Sequence, residues 1–314
     1  MMPGRPSDPG CPKPAAALLE TGPSLPAEIY FNVAASGVLT GLVYGLMALG
    51  LSVIFGVIRV VNFAHGEMMA IAMYIAVVLF STLGLDPLVM MVPIAAVLFC
   101  FGYVLQARLI NPFINRPEHS QFILLVGLAI IIVNVLLLIF GPDAQSVQTS
   151  YSFDSFQIGP LIIDATKAYA AAAAVLVSAA LFAFFRFTLV GQAIRACADN
   201  YTGALVVGLN VQRLYALTFG LGSACVGAAG AMTVLFIDVT PPLGPAYTLV
   251  AFIIVITGGL GSMPGALVGG VLIGVTEAMA GLLFSPSAKS MFSFALLVLV
   301  LLFRPQGLLG TATR

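Results

Sequence analysis

Long apolar segments fill this chain from Phe31 onward, and they constrain its fold more than any other feature. A helix needs about 20 predominantly apolar residues to cross roughly 30 Å of hydrocarbon. A further stretch, 246–258, is shorter and indicates either a complete ninth span or a broken one. We therefore predict an all-α fold, a polytopic transmembrane helical bundle of eight or nine spans that includes broken helices. The eight long candidates are 31–57, 66–84, 87–107, 120–140, 166–185, 213–236, 265–284 and 288–303.

The composition agrees with a membrane protein and argues against other classes. Charged residues make up 8% of the chain, whereas soluble domains carry about 25%. Basic and acidic residues number 12 each, which argues against a surface that binds nucleic acid. The four cysteines lie far apart without a CxxC spacing, so we expect neither a metal site nor a disulfide framework.

The chain divides into three parts. Residues 1–27 are rich in proline and glycine and predict a disordered N-terminal extension. Residues 28–310 form the predicted transmembrane domain, and 311–314 form a C-terminal tail.

The arginines near the span ends predict the orientation, because cytoplasmic loops carry an excess of positive charge. They agree with one threading, in which the N-terminus is outside and the C-terminus is cytoplasmic. The loop 141–165 holds Asp143, Asp154 and Asp164 and no lysine or arginine, so it falls on the outer side. The threading requires that 246–258 crosses completely. The arginines concerned are Arg59, Arg108, Arg116, Arg186, Arg195, Arg213, Arg304 and Arg314.

A polar run interrupts the chain between the first two spans. It contains Asn62, His65 and Glu67, which are costly to place in lipid and should face protein, a cavity or the interface. Two interpretations remain open. In one, Asn62 caps a helix, Glu67 is a favourable first-turn charge and the backbone satisfies His65. In the other, a kinked segment gates or lines a pathway, with His65 and Glu67 toward its cytoplasmic end.

The loop 186–213 predicts a short helix that does not cross the membrane. Arg195 and Asp199 have the i, i+4 spacing that mildly supports a helix. Gly191 begins the segment, while Gly208 and Asn210 suit a helix stop. Such a helix is either an ordinary connector or a contact with a partner.

A glycine-rich run at 258–265 predicts an interruption of helix at membrane depth, centred on Gly258, Gly261, Pro264 and Gly265. Irregular backbone at that depth is tolerated only where protein or water surrounds it. Glu277 lies within the following span, so it either lines a pathway or bonds to a neighbouring helix. The run has no GxxxxGK[ST] pattern, so this chain is not expected to bind ATP itself.

These features together resemble the branched-chain amino acid ABC transporter permeases. The resemblance extends in order over roughly residues 31–310, and the motif around His65 is its most specific part. The stretches that carry it are 61–67, 191–210, 258–265, Glu277-Ala278, 292–297 and 304–310.

The resemblance implies a non-enzymatic transport subunit in the bacterial inner membrane. Its implied partners are a second homologous permease, two cytoplasmic ATP-binding subunits and a periplasmic solute-binding protein. The 191–208 segment would be the coupling helix that docks on an ATPase, and no cofactor would bind this chain. Family members also carry urea, amides or aromatic acids, so the solute stays open.

Two rival transport classes remain. A secondary transporter typically needs several intramembrane acids for its coupling ions, and only Glu67 and Glu277 are available here. A facilitative channel for a small polar solute is the other alternative.

Overall fold

A computed structural model of the chain describes residues 27–114, 116–159 and 161–310. Most of the predicted N-terminal extension and the tail at 311–314 lie outside the described residues. The last residue of that extension, Ala27, is already helical. The helices are α1 (Ala27–Ile58), α2 (His65–Leu83), α3 (Pro87–Val104), α4 (Glu118–Phe140), α5 (Ala165–Phe187), α6 (Leu189–Asp199), α7 (Tyr201–Val206), α8 (Val211–Thr233), α9 (Leu243–Gly258), α10 (Met263–Leu283) and α11 (Lys289–Phe303).

Eight helical segments of the described chain are long and apolar enough to cross a membrane. They comprise α1, α2, α3 with its π and 3-10 continuation to Phe113, α4, α5, α8, α10 and α11 with its preceding turn. The ninth, α9, has 16 residues and is shorter than the others. The predicted all-α, polytopic bundle is therefore confirmed.

The centre of the bundle consists of α1 and α8, which are buried along most of their length. Small residues permit this, because helices in a membrane associate by close backbone packing. Gly50 of α1 faces Gly222 of α8, and Gly41 of α1 faces Gly274 of α10. The outer helices expose apolar side chains, such as Leu138 of α4 and Leu302 of α11, which suits contact with lipid or another subunit.

One end of the bundle, called here the arginine end, collects the arginine-bearing loops. At this end, the segment after α11 packs on the turn between α9 and α10, and the Leu308 amide donates to the Thr257 carbonyl at 2.9 Å. Gly56 of α1 touches Gly261 in the same turn. Arg186 and Arg195 line a cavity together with Met263, the first residue of α10. The predicted grouping of these loops on one side agrees with this packing.

The opposite end, called here the hairpin end, carries two short strands. Strands β1 (Ser155–Ile158) and β2 (Leu161–Asp164) pair antiparallel. The Tyr151 hydroxyl donates to the Asp86 carboxylate at 2.8 Å, which ties the loop before β1 to the start of α3. Burial and this hydrogen bond raise the pKa of Tyr151 above its ordinary value.

The loop 186–213 differs from its prediction because it forms two helices instead of one. The Thr188 hydroxyl caps α6 by accepting from the Gly191 amide at 3.0 Å. Asn200 then leaves the helical conformation and caps α7 through the Gly203 amide at 2.8 Å. Asparagine favours such caps because its side chain competes for backbone amides.

The end of α7 agrees in part with the predicted helix stop. Gly208 has φ +82° and follows α7 as expected. Asn210 is not part of the stop, because its side chain caps the next helix, α8, by accepting from the Arg213 amide at 3.1 Å.

Candidate functional site

The segment from Arg59 to Ala64 doubles back along α1 and places the start of α2 deep in the bundle. His65 Nε2 lies 3.0 Å from the carbonyl oxygen of Met47. Met47 is eleven residues before the end of α1 at Ile58, or about 16 Å at 1.5 Å per residue. An irregular segment of six residues can cover this distance, since an extended chain spans about 3.3 Å per residue.

The expectation that His65 and Glu67 lie toward the cytoplasmic end of a pathway stays a prediction, and the contact with Met47 gives the depth of His65 in the bundle. His65 lies beside Met47, 20 residues from the start of α1 and 11 from its end, because the non-helical segment runs back along α1 before α2 begins.

The three polar residues of this run are buried and close together. The Asn62 amide oxygen accepts from the Ala64 amide at 3.1 Å, and its nitrogen contacts Met68 Sδ at 3.7 Å. Asn62 therefore shapes the approach to α2. His65 Nδ1 has no hydrogen-bond partner in the described part of the chain, although the ring is fully buried.

Thr248 of α9 forms hydrogen bonds with Gly66 and Glu67 in the first turn of α2. Its hydroxyl accepts from the Gly66 amide at 2.8 Å and lies 3.0 Å from Glu67 Oε2, to which it can donate. Gly66 also packs directly against Gly244 of α9. The first turns of α2 and α9 therefore meet side by side around the Glu67 carboxylate.

A cavity of about 430 Å³ opens beside this contact, between α2, α4 and α9. Glu67, Thr248 and Asn134 supply its polar lining. Its size falls within the range of sites that hold small molecules. The remaining lining is apolar and comprises Phe63, Val126, Ala129, Ile130, Val133, Pro245 and Leu249.

Glu277 lies in a different place from the other three predicted pathway residues. Its Oε1 accepts from the Ser293 hydroxyl at 3.1 Å, and it lines a second cavity of about 300 Å³ with Lys167 and Lys289. Tyr44 also lines this second cavity, and its ring meets the Tyr247 ring edge-on at 6.0 Å between centroids. Tyr247 directly precedes Thr248, which lines the first cavity, and the two cavities share no lining residue.

The glycine-rich run is a turn between two helices, not an interruption within one. Gly258 ends α9, and Gly259 and Gly261 take φ values of +110° and +78° that favour glycine. Pro264 and Gly265 were expected to break a helix, but they belong to the first turn of α10. Proline is compatible with that turn because its missing N–H would be unpaired there anyway.

The predicted coupling residues lie at the arginine end and are largely accessible. Arg195, Asp199 and Gly208 are exposed, while Gly191 is buried against Phe185 of α5. Arg195 and Asp199 have the i, i+4 spacing that favours a helix, but no ion pair joins their side chains.

This loop also displays apolar side chains that sequence reasoning did not single out. Leu189 is 83% exposed, Val206 82% and Val207 74%. Apolar side chains in a connecting loop indicate a surface that another protein covers.

Thr248, Tyr44, Lys167 and Lys289 were also missed as site residues. A single threonine or tyrosine in an apolar helix carries no distinctive pattern. The two lysines resemble ordinary charges at helix ends, so only the packing of α1, α5, α10 and α11 identifies them as neighbours of Glu277.

Comparisons with known proteins agree with this architecture. The chain matches the family described as branched-chain amino acid transport system / permease component over residues 33–301. It is 32% identical over 294 residues to the high-affinity branched-chain amino acid transport system permease protein BraD of Pseudomonas aeruginosa, covering 90% of this chain and 96% of that protein.

Two further relatives extend the match. The high-affinity permease protein LivH of Escherichia coli K12 is 30% identical over 294 residues, covering 88% of this chain and 94% of LivH. The probable permease protein LivH of Methanocaldococcus jannaschii is 24% identical over 279 residues, covering 84% of this chain and 88% of that protein. No solved structure matches the chain. The family model covers nearly the whole bundle, from α1 to α11, and on that ground the chain belongs to the family of branched-chain amino acid transport permease components.

Proposed function

We propose that this chain is the membrane permease subunit of an ABC importer for branched-chain or related amino acids. One observation carries the proposal: the match to a permease named for high-affinity branched-chain amino acid transport covers 90% of this chain and 96% of that protein. The chain supplies the transmembrane path, and ATP is bound and hydrolysed by partner subunits.

The proposed complex contains this permease, a second homologous permease, two cytoplasmic ATP-binding subunits and a periplasmic solute-binding protein. The apolar surface of Leu189, Val206 and Val207 supports a subunit contact at the arginine end. In this assembly α6 and α7 together form the coupling element on the ATPase, with Arg195 and Asp199 on its accessible side. The arginine end then faces the cytoplasm and the hairpin end faces the periplasm.

The path itself is proposed to pass the contact between the first turns of α2 and α9. Glu67 and Thr248 line the 430 Å³ cavity there, and a buried carboxylate in a membrane protein usually marks a functional position. ATP-driven closure of the partner subunits shifts the permease between two conformations. The irregular segment before α2, which contains Asn62 and leads directly into His65, is placed to move in that change.

Uptake by proteoliposomes tests the function. The complex is assembled from this permease, the second permease, the ATP-binding subunits and the solute-binding protein, and uptake of labelled leucine is followed with ATP inside the vesicles. We expect uptake that requires both ATP hydrolysis and the binding protein. Uptake driven by an ion gradient alone would support a secondary transporter, and equilibration without any energy source would support a channel.

A charge reversal tests the coupling element. Arg195→Glu should lower the solute-stimulated ATPase activity of the complex, because it places a repelled charge in the proposed ATPase contact. Arg108→Glu reverses an exposed charge outside α6 and α7 and is the matched control. Equal activity and equal co-purification of the ATPase in both variants would remove Arg195 from the coupling contact.

A further inference from the structure

The cavity around Glu277 has features that the proposed path through the Glu67 region does not use. It lies toward the hairpin end, because Lys167 is the third residue of α5 and this helix directly follows strand β2. We call it the outer recess and define it by Ser36, Tyr44, Lys167, Glu277 and Lys289.

Three charged side chains line the outer recess, yet they do not pair with one another. Lys167 Nζ donates to the Ser36 hydroxyl at 2.8 Å, and Glu277 Oε1 accepts from the Ser293 hydroxyl at 3.1 Å. Lys289 lines the same cavity as Glu277, but no ion pair within 4 Å joins these described residues. The space between the charges is therefore open to a molecule that carries both signs.

The signs of the lining select the chemical class of that molecule. An anion without a positive group would pair with the lysines but leave Glu277 without an ionic partner, and a cation without a negative group would pair with Glu277 but leave both lysines without one. A neutral solute would leave all three charges without ionic partners. A zwitterion places its carboxylate toward the lysines and its ammonium toward Glu277, where charge-assisted hydrogen bonds are the strongest available.

The rest of the outer recess suits an apolar side chain. Val33, Phe236 and Ile237 line it, and its volume of about 300 Å³ is at the lower end of small-molecule sites. Tyr44, which is 8% exposed, also lines it and packs its ring against Tyr247.

We propose that the outer recess binds a free zwitterionic α-amino acid, with Lys167 and Lys289 facing its carboxylate, Glu277 facing its ammonium group and the apolar wall holding its side chain. The site rests on the proposed function and extends it, since it gives the permease its own recognition of the solute. Phosphatidylethanolamine headgroups carry the same two charges, so the test must separate the solute from the lipid.

Cysteine protection tests the site directly. Ala278 lines the outer recess next to Glu277, so Ala278→Cys is introduced into a complex whose permease otherwise lacks cysteine. The complex is placed in phosphatidylglycerol nanodiscs, and the rate of modification by a small impermeant thiol reagent is measured. We expect millimolar L-leucine to slow the reaction several-fold, whereas leucinamide and 4-methylpentanoate, which each lack one charge, do not. Asp154→Cys, on the exposed hairpin-end loop, should react at a rate that leucine does not change.

Charge removal supplies the second arm. In the Ala278→Cys background, Lys167→Gln or Glu277→Gln should raise the leucine concentration needed for half protection by tenfold or more. Asp143→Asn removes an exposed charge at the same end, outside the outer recess, and should leave that concentration unchanged.

Several results would overturn the proposal. They are equal protection by leucine and both analogues, no protection by leucine, protection by the solute-free binding protein alone, and protection on adding phosphatidylethanolamine without leucine. Leucine uptake by the same wild-type complex is measured in parallel. Normal ATP-dependent uptake without protection rejects the outer recess alone, whereas absent uptake rejects the proposed function.

Discussion

Replacing Gly66 with alanine adds one methyl group at the contact between the first turns of α2 and α9. A Cβ at this position would lie 2.5 Å from the Thr248 amide nitrogen and 2.7 Å from its hydroxyl oxygen, and it would collide with the Gly244 carbonyl. Two of these three atoms are backbone, so a change of side-chain rotamer cannot relieve the contact. The two helices must separate to accept the methyl group.

The expected cost follows from three contributions. Overpacking a close contact costs about 1–3 kcal/mol, and losing the hydrogen bond from the Gly66 amide to Thr248 costs about 1 kcal/mol. Alanine regains up to about 1 kcal/mol because it favours helix over glycine. The free energy of unfolding should therefore fall by about 1–3 kcal/mol.

The matched control is Gly127→Ala in α4, where a Cβ would meet nothing within 4 Å. This variant should be as stable as the wild type or more stable by up to about 1 kcal/mol. Reversible unfolding of purified protein in mixed micelles, followed by helical circular dichroism, gives both values. Leucine uptake by the reconstituted complex should fall for Gly66→Ala and not for Gly127→Ala. Wild-type stability and uptake in Gly66→Ala would refute the close α2–α9 contact and its role in the path.

Three further predictions concern other parts of the bundle. In intact cells an impermeant thiol reagent should modify Asp154→Cys but not Asp199→Cys, and the reverse pattern would invert the proposed orientation. Gly270→Val should lower stability by more than 1 kcal/mol in the same unfolding assay, because its Cβ would lie 2.5 Å from the Gly45 amide nitrogen in α1. Because the pKa of Tyr151 is raised in the folded state, its protonated hydroxyl stabilises the fold. This stabilisation is fully present below the ordinary tyrosine pKa and is lost progressively as pH rises above it. Stability should therefore decline more steeply above about pH 10 in wild type than in Tyr151→Phe, and parallel curves would contradict the bond to Asp86.

The sequence predicted the transmembrane class and most helix positions because these depend on local composition. A run of about 20 apolar residues has few alternatives to a spanning helix, and the helices from α2 to α11 follow the predicted spans closely. The family could also be recognised from short motifs such as the one around His65. The caps at Ser262 and Asn210 are also local, because one side chain bonds to an amide three residues ahead, but neither cap was predicted from the sequence.

The depth of Glu67 could not be read from the sequence. Arg59 follows α1 directly, so the polar run resembles a surface turn. Its true position depends on the contact of His65 with Met47 and on the packing of Gly66 against α9, which is about 180 residues away in the chain. Such contacts are decided by how helices meet and not by the pattern within either helix.

The separation of the two acidic sites was likewise decided by tertiary structure. Glu67 and Glu277 are both carboxylates in apolar spans, and the sequence offered one shared pathway for them. The fold gives Glu67 a threonine partner beside an apolar cavity, and it gives Glu277 two lysines from the ends of other helices. Local composition determined which apolar segments form membrane-spanning helices, because hydrocarbon thickness and backbone hydrogen bonding act on each segment alone. Which side chains share a cavity depends on close approach between glycine-lined helices, and only the assembled bundle settles it.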